Sequence, residues 1–380
     1  MIQFPVPVTV RSVDVAMVRG ALPQPIRFGN WLMTYRDFAL VRVSVEEGAD
    51  GFAFTLTRNG PVTEAVRILR DSYVGRTVDS PGTAFTQAWS TNPMSLSSGV
   101  GLRALSLVDL ALWDAATRTA GVSVVEVLGG RPGPVPVTAI AGYPPTMEPD
   151  GVRRQVGALW EAGWRRFKMP VSATWQETYD RLAAARDAAP SAMLALDAAW
   201  TFRTVSEAVE FCEGLPVDLE WFEDMFLPGD AAETAALRRA VDIPIAVGDE
   251  QGGSYYPEAL LQAGAVDVVR LDATCMGGVT RFVEMAGKVR QASVSLSPHM
   301  NAHVHASLLN GLGIADVAVE WGVPGSGVDP FADSLRQPVV KDGYMEPLGE
   351  GPGFGTLVNP AWLACQEVDD PEGLVASLGG

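Results

Sequence analysis

From about Val135 to Glu320 the chain alternates short apolar runs with longer amphipathic windows, a pattern that predicts strand–helix units and a parallel sheet. The apolar runs place strands at residues 135–140, 165–169, 192–196, 219–222, 243–247, 266–271, 293–296 and 316–319. Asp150, Thr174, Thr204, Asp230 and Ser254 stand where the N-caps of the intervening helices are expected. Eight such units at a near-constant repeat predict an α/β fold, a (β/α) TIM-type barrel that closes on itself. Before residue 131 the period changes. Two long alternating strands, 9–18 and 38–45, and a third at 51–56 are joined in part by the turn 46–50, and helices follow, notably 104–120. This reads as an α+β capping domain over residues 1–130, with the barrel at 131–329. The tail from about 330 to 380, rich in Gly and Pro, is expected to pack back on the capping domain.

Composition narrows the function. Of 380 residues 47% are hydrophobic and 19% charged, which excludes a disordered chain and leaves enough apolar surface for a large core. A net charge of −17 disfavours nucleic acid and anionic membranes as partners. No stretch approaches the roughly 18 apolar residues of a membrane span, and the opening Met1-Ile2-Gln3-Phe4-Pro5 lacks the basic start of a secretory signal. Three widely spaced cysteines (Cys212, Cys275, Cys365) argue against a disulfide framework and fit a reducing cytoplasm. Two scarcities point to chemistry. There are only three lysines (Lys168, Lys288, Lys341), and all three histidines fall in one segment, His299, His303 and His305.

A barrel's active site lies at the C-terminal ends of its strands. The polar residues there are Lys168, Asp197, Glu223, Asp249, Asp272, His299 and Glu320, in strand order from the second to the eighth. Asp197, Glu223 and Asp249 are separated by one strand–helix repeat each. Single carboxylates at strand ends often cap helices, but three on successive strands would converge, and their repulsion calls for a cation. Oxygen ligands without nearby Cys or His select a hard ion, Mg²⁺ above others. Glu250 competes with Asp249 as the third ligand. Asp272 beside His299 can form a dyad in which the carboxylate fixes the tautomer and the imidazole acts as a general base. His303 and His305, on the helix expected next, read as core residues.

These residues lie within longer matches. Ala104-Leu105-Ser106-Leu107-Val108-Asp109-Leu110-Ala111-Leu112-Trp113-Asp114, Trp221-Phe222-Glu223-Asp224, Pro244 to Asp249, and Leu271 to Thr280 occur in an order and spacing that resembles the enolase superfamily, in its mandelate racemase/muconate lactonizing branch. The resemblance covers nearly the whole chain. It implies that Asp197, Glu223 and Asp249 bind Mg²⁺, that Asp272 and His299 form the acid/base dyad, and that Glu320 hydrogen-bonds a developing enediolate. Asp at position 272 resembles the mandelate racemase side, and the resemblance also favours a homo-oligomer. Two positions depart from the family pattern. Its Lys-x-Lys appears as Lys168-Met169-Pro170, with proline where the usual lysine base would stand, and Ala199 replaces the Asn or His common two residues after the first ligand.

With His299 the one evident base, the expectation is β-elimination: a Mg²⁺-dependent dehydratase acting on an acid sugar or related hydroxy acid. An epimerase, racemase or cycloisomerase using Lys168 as a second base is the alternative, and a non-catalytic metal-binding paralogue a further one. Arg27, Trp31 and Arg58 are candidates from the capping domain to meet a polyol or distal carboxylate. They read equally well as surface residues.

Overall fold

The computed structural model describes residues 2–28, 31–248, 255–314, 316–323, 325–326, 328–329, 335, 337–347, 351–355, 360–363 and 365–378. The first layer is an antiparallel meander of β1 (Val8–Phe28), β2 (Trp31–Val45) and β3 (Gly51–Leu56), with the short β4 (Thr77–Val78) also paired to β1. The first two strands run well past the apolar alternation. Their extension carries Arg19 directly opposite Asp37, joined by two hydrogen bonds of 2.7 and 2.9 Å, so cross-strand charge holds what hydrophobic patterning does not mark. The register shifts between Ala21 and Ile26, where Pro23 and Pro25 have no N–H to give the ladder.

The long helix Gly99–Thr119 lies on this sheet and is buried at every position from Leu102 to Thr117, so it is wrapped on all sides. Its polar residues dock the barrel. Asp109 accepts the Thr280 N–H (3.1 Å) and hydroxyl (2.6 Å) at the start of the helix Gly278–Gln291, whose own N-cap is Gly277. A side chain at Gly278 would collide with Asp109, since a Cβ there would lie 2.2 Å from Oδ2. Asp114 accepts N–H groups from Phe52 and Phe354 (3.0 Å each), tying β3 and the tail to the helix.

The barrel strands are β5 (Val135–Ile140), β6 (Arg166–Pro170), β7 (Met193–Asp197), β8 (Trp221–Glu223), β9 (Ile245–Val247), β10 (Val268–Leu271), β11 (Ser295–Pro298) and β12 (Val319–Gly322). The pairings among these eight are parallel, in the order β11-β10-β9-β8-β7-β6-β5-β12. Among the described residues no ladder joins β11 to β12, so the expected full closure is open at one seam. Pro298 ends β11 without an N–H, and the Met300 N–H is taken by the Glu320 side chain (3.1 Å). Most strands also end later than the apolar runs imply. Pro170, Asp197, Glu223 and Glu320 are rungs of the sheet, not residues beyond it.

Thr174, Thr204 and Asp230 cap their helices through the N–H groups of Glu177, Glu207 and Glu233. Asp150 instead sits in a first turn whose cap position is Glu148, because Pro149 already starts the helix; Ser254 lies outside the described residues. The tail divides. The hairpin β13 (Val340–Lys341) and β14 (Tyr344–Met345) adds to β5, while β15 (Glu367–Asp369) adds to β1.

Candidate active site

Side chains alternate along a strand, so Lys168, Asp197, Glu223, Arg270, Asp272 and Glu320 reach the barrel interior or its mouth from successive strands. Pro170, Asp197 and Glu223 form one row across β6, β7 and β8. Just beyond the strand ends the backbone turns left-handed at Ala199 (φ 46°), Trp200 (60°), Asp224 (49°), Met300 (49°) and Asn301 (44°). Such conformations are costly for most of these side chains, and here they gather at the mouth.

The deepest part is a set of buried charges. Lys168 Nζ lies 3.0 Å from Glu223 Oε1, 2.9 Å from Glu320 Oε1 and 3.6 Å from Asp197 Oδ2. Arg270, fully buried, donates from Nε to Glu223 Oε1 (3.1 Å) and from its terminal nitrogens to Glu320 and Ser297. Its guanidinium stands 5.7 Å from the Trp221 ring, and the Trp221 indole N–H donates to Glu223 Oε2 (3.0 Å). Burial works against the Lys168 ammonium, but Glu223 and Glu320 outweigh it and raise the lysine well above its ordinary range. Burial likewise works against the Glu320 carboxylate, yet Arg270 and Lys168 hold it well below the usual carboxylate range.

The geometry bears on two of the expected site residues. Lys168 lies between carboxylates that favour its cationic form, which fits the expected role of a compact positive charge. Glu320 has Arg270 and Lys168 on Oε1 and accepts the Met300 N–H on Oε2, contacts that favour its carboxylate form.

The dyad is assembled at the ends of β10 and β11. His299 Nδ1 is 3.2 Å from Asp272 Oδ2, and Asp272 Oδ1 accepts the Thr274 N–H and hydroxyl, both at 2.8 Å. Burial pushes the Asp272 carboxyl up, but the bond to His299, with His305, His299 charge and Thr274, holds it below its usual value. His305 lies 3.6 Å from Asp272; its Nε2 accepts the Ala273 N–H (3.0 Å) and its Nδ1 donates to the Met300 carbonyl (2.8 Å). His303 stacks on Phe54 with ring centroids 4.4 Å apart, and burial pushes its pKa down to about 3. Both belong to the core, as their helical positions suggest.

Asp197 accepts the Ala199 N–H (2.9 Å) and keeps a partly exposed carboxylate beside the buried Glu223. The third ligand candidates, Asp249 and Glu250, lie outside the described residues, directly after Gly248 (φ 126°) at the end of β9. Two neighbouring carboxylates, one oriented by three donors, form an oxygen-only donor set of the kind Mg²⁺ takes. Of the capping-domain candidates, Arg58 lines a cleft with Tyr35, Arg36 and Asp37, and both Arg36 and Arg58 act electrostatically on Tyr143, a buried tyrosine that also feels Asp197 and Lys168. Arg27 is exposed near the tip of the β1–β2 hairpin; the Trp31 side chain lies outside the described residues. Arg270, Tyr143 and Arg36 were not singled out by the sequence. Arg270 could have been: it breaks an apolar run two residues before Asp272 and therefore shares its face.

A barrel whose strand ends carry a carboxylate pair, a buried lysine and an Asp–His dyad defines a class. Residues 151–362 match the enolase C-terminal domain-like family and residues 11–129 the mandelate racemase / muconate lactonizing enzyme N-terminal domain. The chain belongs to this family. It is 25% identical to D-galactarolactone cycloisomerase of Agrobacterium fabrum, over 95% of this chain and all of that one. It is also 25% identical to a D-galactonate dehydratase family member of Streptomyces bingchenggensis, over 87% of this chain and 89% of that one. The crystal structure of L-talarate dehydratase from Polaromonas sp., complexed with Mg and L-glucarate, shares the fold with a TM-score of 0.81 at 21% identity, covering 97% of this chain and all of that one.

Proposed function

We propose that the protein removes the proton α to the carboxylate of a small hydroxylated acid in a Mg²⁺-dependent reaction, and that it dehydrates an acid sugar. The observation that carries this reading is the single dyad. Asp272 is ionised and hydrogen-bonded to His299 Nδ1, which leaves Nε2 to take a proton; Lys168 is committed as a cation, and position 170 is proline. Held by Asp197, Glu223 and Asp249 or Glu250, Mg²⁺ would supply a Lewis acid for the charge that grows on the substrate carboxylate.

The residues present do the rest. His299 takes the α-proton and Asp272 stabilises the resulting imidazolium. Lys168 keeps positive charge beside the carboxylates. The bond between the β-carbon and its hydroxyl breaks, the imidazolium proton leaves with that hydroxyl as water, and the remaining enol becomes a 2-oxo acid with no external oxidant or reductant. Arg36 and Arg58 approach the mouth from the capping domain and would meet the far end of a polyhydroxy acid.

Acid sugars are supported by the named relatives. Cycloisomerisation is the second reading, favoured by the galactarolactone cycloisomerase that aligns along its whole length. Three free cysteines fit a reducing cytoplasm, and among the described residues no helix is long and apolar enough to cross a membrane. A symmetric homo-oligomer is part of the same proposal.

The test is a panel of aldonates, aldarates and their lactones in D₂O with Mg²⁺, followed by proton NMR and mass spectrometry. Loss of water with a deuteron at the former β-carbon of the 2-oxo acid is expected, and any exchange into recovered substrate should occupy a single α-carbon configuration. An isomer formed without loss of water would move the cycloisomerase ahead, and interconversion of α-epimers would require a second base. A Mg²⁺-loaded protein that exchanges no α-proton in any acid would overturn the proposal.

A further inference from the structure

Four side chains inside the barrel form a closed ring of alternating charge. Lys168 on β6, Glu223 on β8, Arg270 on β10 and Glu320 on β12 come from alternate strands, as the side chains of one layer in a barrel core do. Each carboxylate touches both cations and each cation touches both carboxylates. Lys168 reaches Glu223 at 3.0 Å and Glu320 at 2.9 Å, and Arg270 reaches Glu223 at 3.1 Å and also bonds Glu320. All four are buried to 2% exposure or less. Such layers are ordinarily filled by branched apolar residues. A layer of charges persists away from water only when it is balanced and hydrogen-bonded, and this one sums to zero.

We propose that Arg270 is a positioning residue that balances this layer, holding Glu223 and Glu320 in place before any divalent ion binds and weakening the ion's hold on Glu223. This deepens the reading above and rests on it only for the identity of the ion. Arginine suits the place because its planar fork bonds two carboxylates and Ser297 at once over the Trp221 ring, which the point charge of a lysine does not. Without Arg270 the layer carries a net negative charge, so the metal-free fold is strained while a divalent cation is drawn in more strongly. Arg270 and Lys168 both touch Glu223 Oε1, so their charge opposes that of an incoming ion.

The test compares the full-length protein with Arg270→Gln, Glu320→Gln and the double variant, by thermal unfolding in chelator and by Mg²⁺ titration calorimetry. Each single variant unbalances the layer and should melt well below wild type in chelator. The double variant leaves Lys168 facing Glu223 alone, is balanced again, and should recover most of the loss. It also keeps the test open should Arg270→Gln fail to fold. Arg270→Gln should bind Mg²⁺ about tenfold tighter than wild type, the order expected when a unit charge is removed from a partly screened interior. Arg270→Lys should restore wild-type affinity. Losses that simply add in the double variant, or a Mg²⁺ affinity that Arg270→Gln leaves unchanged or weakens, would overturn the proposal. A wild type with no Mg²⁺ response would instead defeat the metal assignment, while the chelator comparison would still decide the charge balance.

Discussion

Two pairs of buried carboxylates are handled in opposite ways. In the barrel, Glu223 and Glu320 are each met by a lysine and an arginine, and Glu320 stays ionised well below its usual range. On the long helix, Asp109 is met by the N–H and hydroxyl of Thr280, burial prevails, and its pKa is pushed up to about 7. Asp114 is met by two backbone N–H groups and by Arg118, and burial still raises it. Neutral donors suffice to fix a carboxylate as a clamp between layers, because a clamp functions with or without its charge. Where a carboxylate must stay negative, for a metal or a base, the fold supplies cations or an imidazole. In these two pairs the acids met mostly by neutral donors join layers, and those met by two cations each line the candidate site.

The largest expected effect lies on the chemical side. His299→Asn removes the base and leaves the charged layer and both clamps intact. Turnover and α-proton exchange should fall on the order of a thousandfold, with the melting temperature little changed. Circular dichroism melts beside the NMR exchange assay read both. If exchange persists in a folded His299→Asn protein, the base has been misassigned. A collapse of the fold would mean that the dyad is itself a clamp, and the distinction between the two carboxylate pairs would blur.

Acidity separates the pairs less sharply but more directly. Asp109 has a folded pKa of about 7 against an ordinary 3.8, so the native state keeps a proton that the unfolded chain releases. Its contribution is full below the unfolded value and is lost as pH rises towards 7. Asp272 and Glu320, both lowered, behave in reverse: their contribution is present above the unfolded carboxylate range and is lost on acidification. Asp109→Asn should therefore flatten the fall in stability between pH 5 and 7, changing the difference from wild type by about 1.4 kcal/mol per pH unit. Urea unfolding at three pH values measures it. Parallel curves for variant and wild type would show that Asp109 is ionised in the native state after all.

The same contrast explains what could be read from the chain. Strand β5 was legible residue for residue because residues 135–140 are a closed apolar run. β7, β8 and β12 run past their apolar runs because the rungs they gain, Asp197, Glu223 and Glu320, are charged, and a search for apolar runs stops where the site begins. Lys168, Asp197, Glu223, Asp272 and His299 stood out as polar residues ending apolar runs. Arg270 did not, since it lies inside a run, and only strand parity with Asp272 marks it as facing inward. The helix segment 104–114 reads as a family signature, yet its acids are docking clamps; sequence gives their type but not their partners, which lie on β3, the tail and the helix that follows β10. The extensions of β1 and β2 depend on cross-strand pairs such as Arg19–Asp37, which become visible only once the register is known.

The smallest effect tests the place where the two regions touch. Thr55 of β3 lies 2.7 Å from the Thr274 hydroxyl, both buried, and Thr274 lies 2.8 Å from Asp272. The ionised Asp272 can only accept, so the Thr274 proton is spent on it and Thr55 must donate to Thr274. The capping sheet thus feeds a hydrogen-bond chain that ends at the carboxylate behind His299, with Asn301 adding a donor to both Thr274 (3.3 Å) and Asp272 (3.4 Å). Thr55→Val keeps the shape and removes the donor. It leaves Thr274 bonded to Asp272, so the loss should be that of one neutral hydrogen bond, about 1 kcal/mol in stability. A drop in kcat of about threefold to tenfold should accompany it, with KM near wild type, because the dyad is held less firmly while substrate contacts remain. Thr55→Ser should restore the rate. If Thr55→Val loses stability but no rate, Thr55 belongs with the clamps; if it loses rate with little change in stability, the capping sheet reaches into the chemistry through this one hydroxyl.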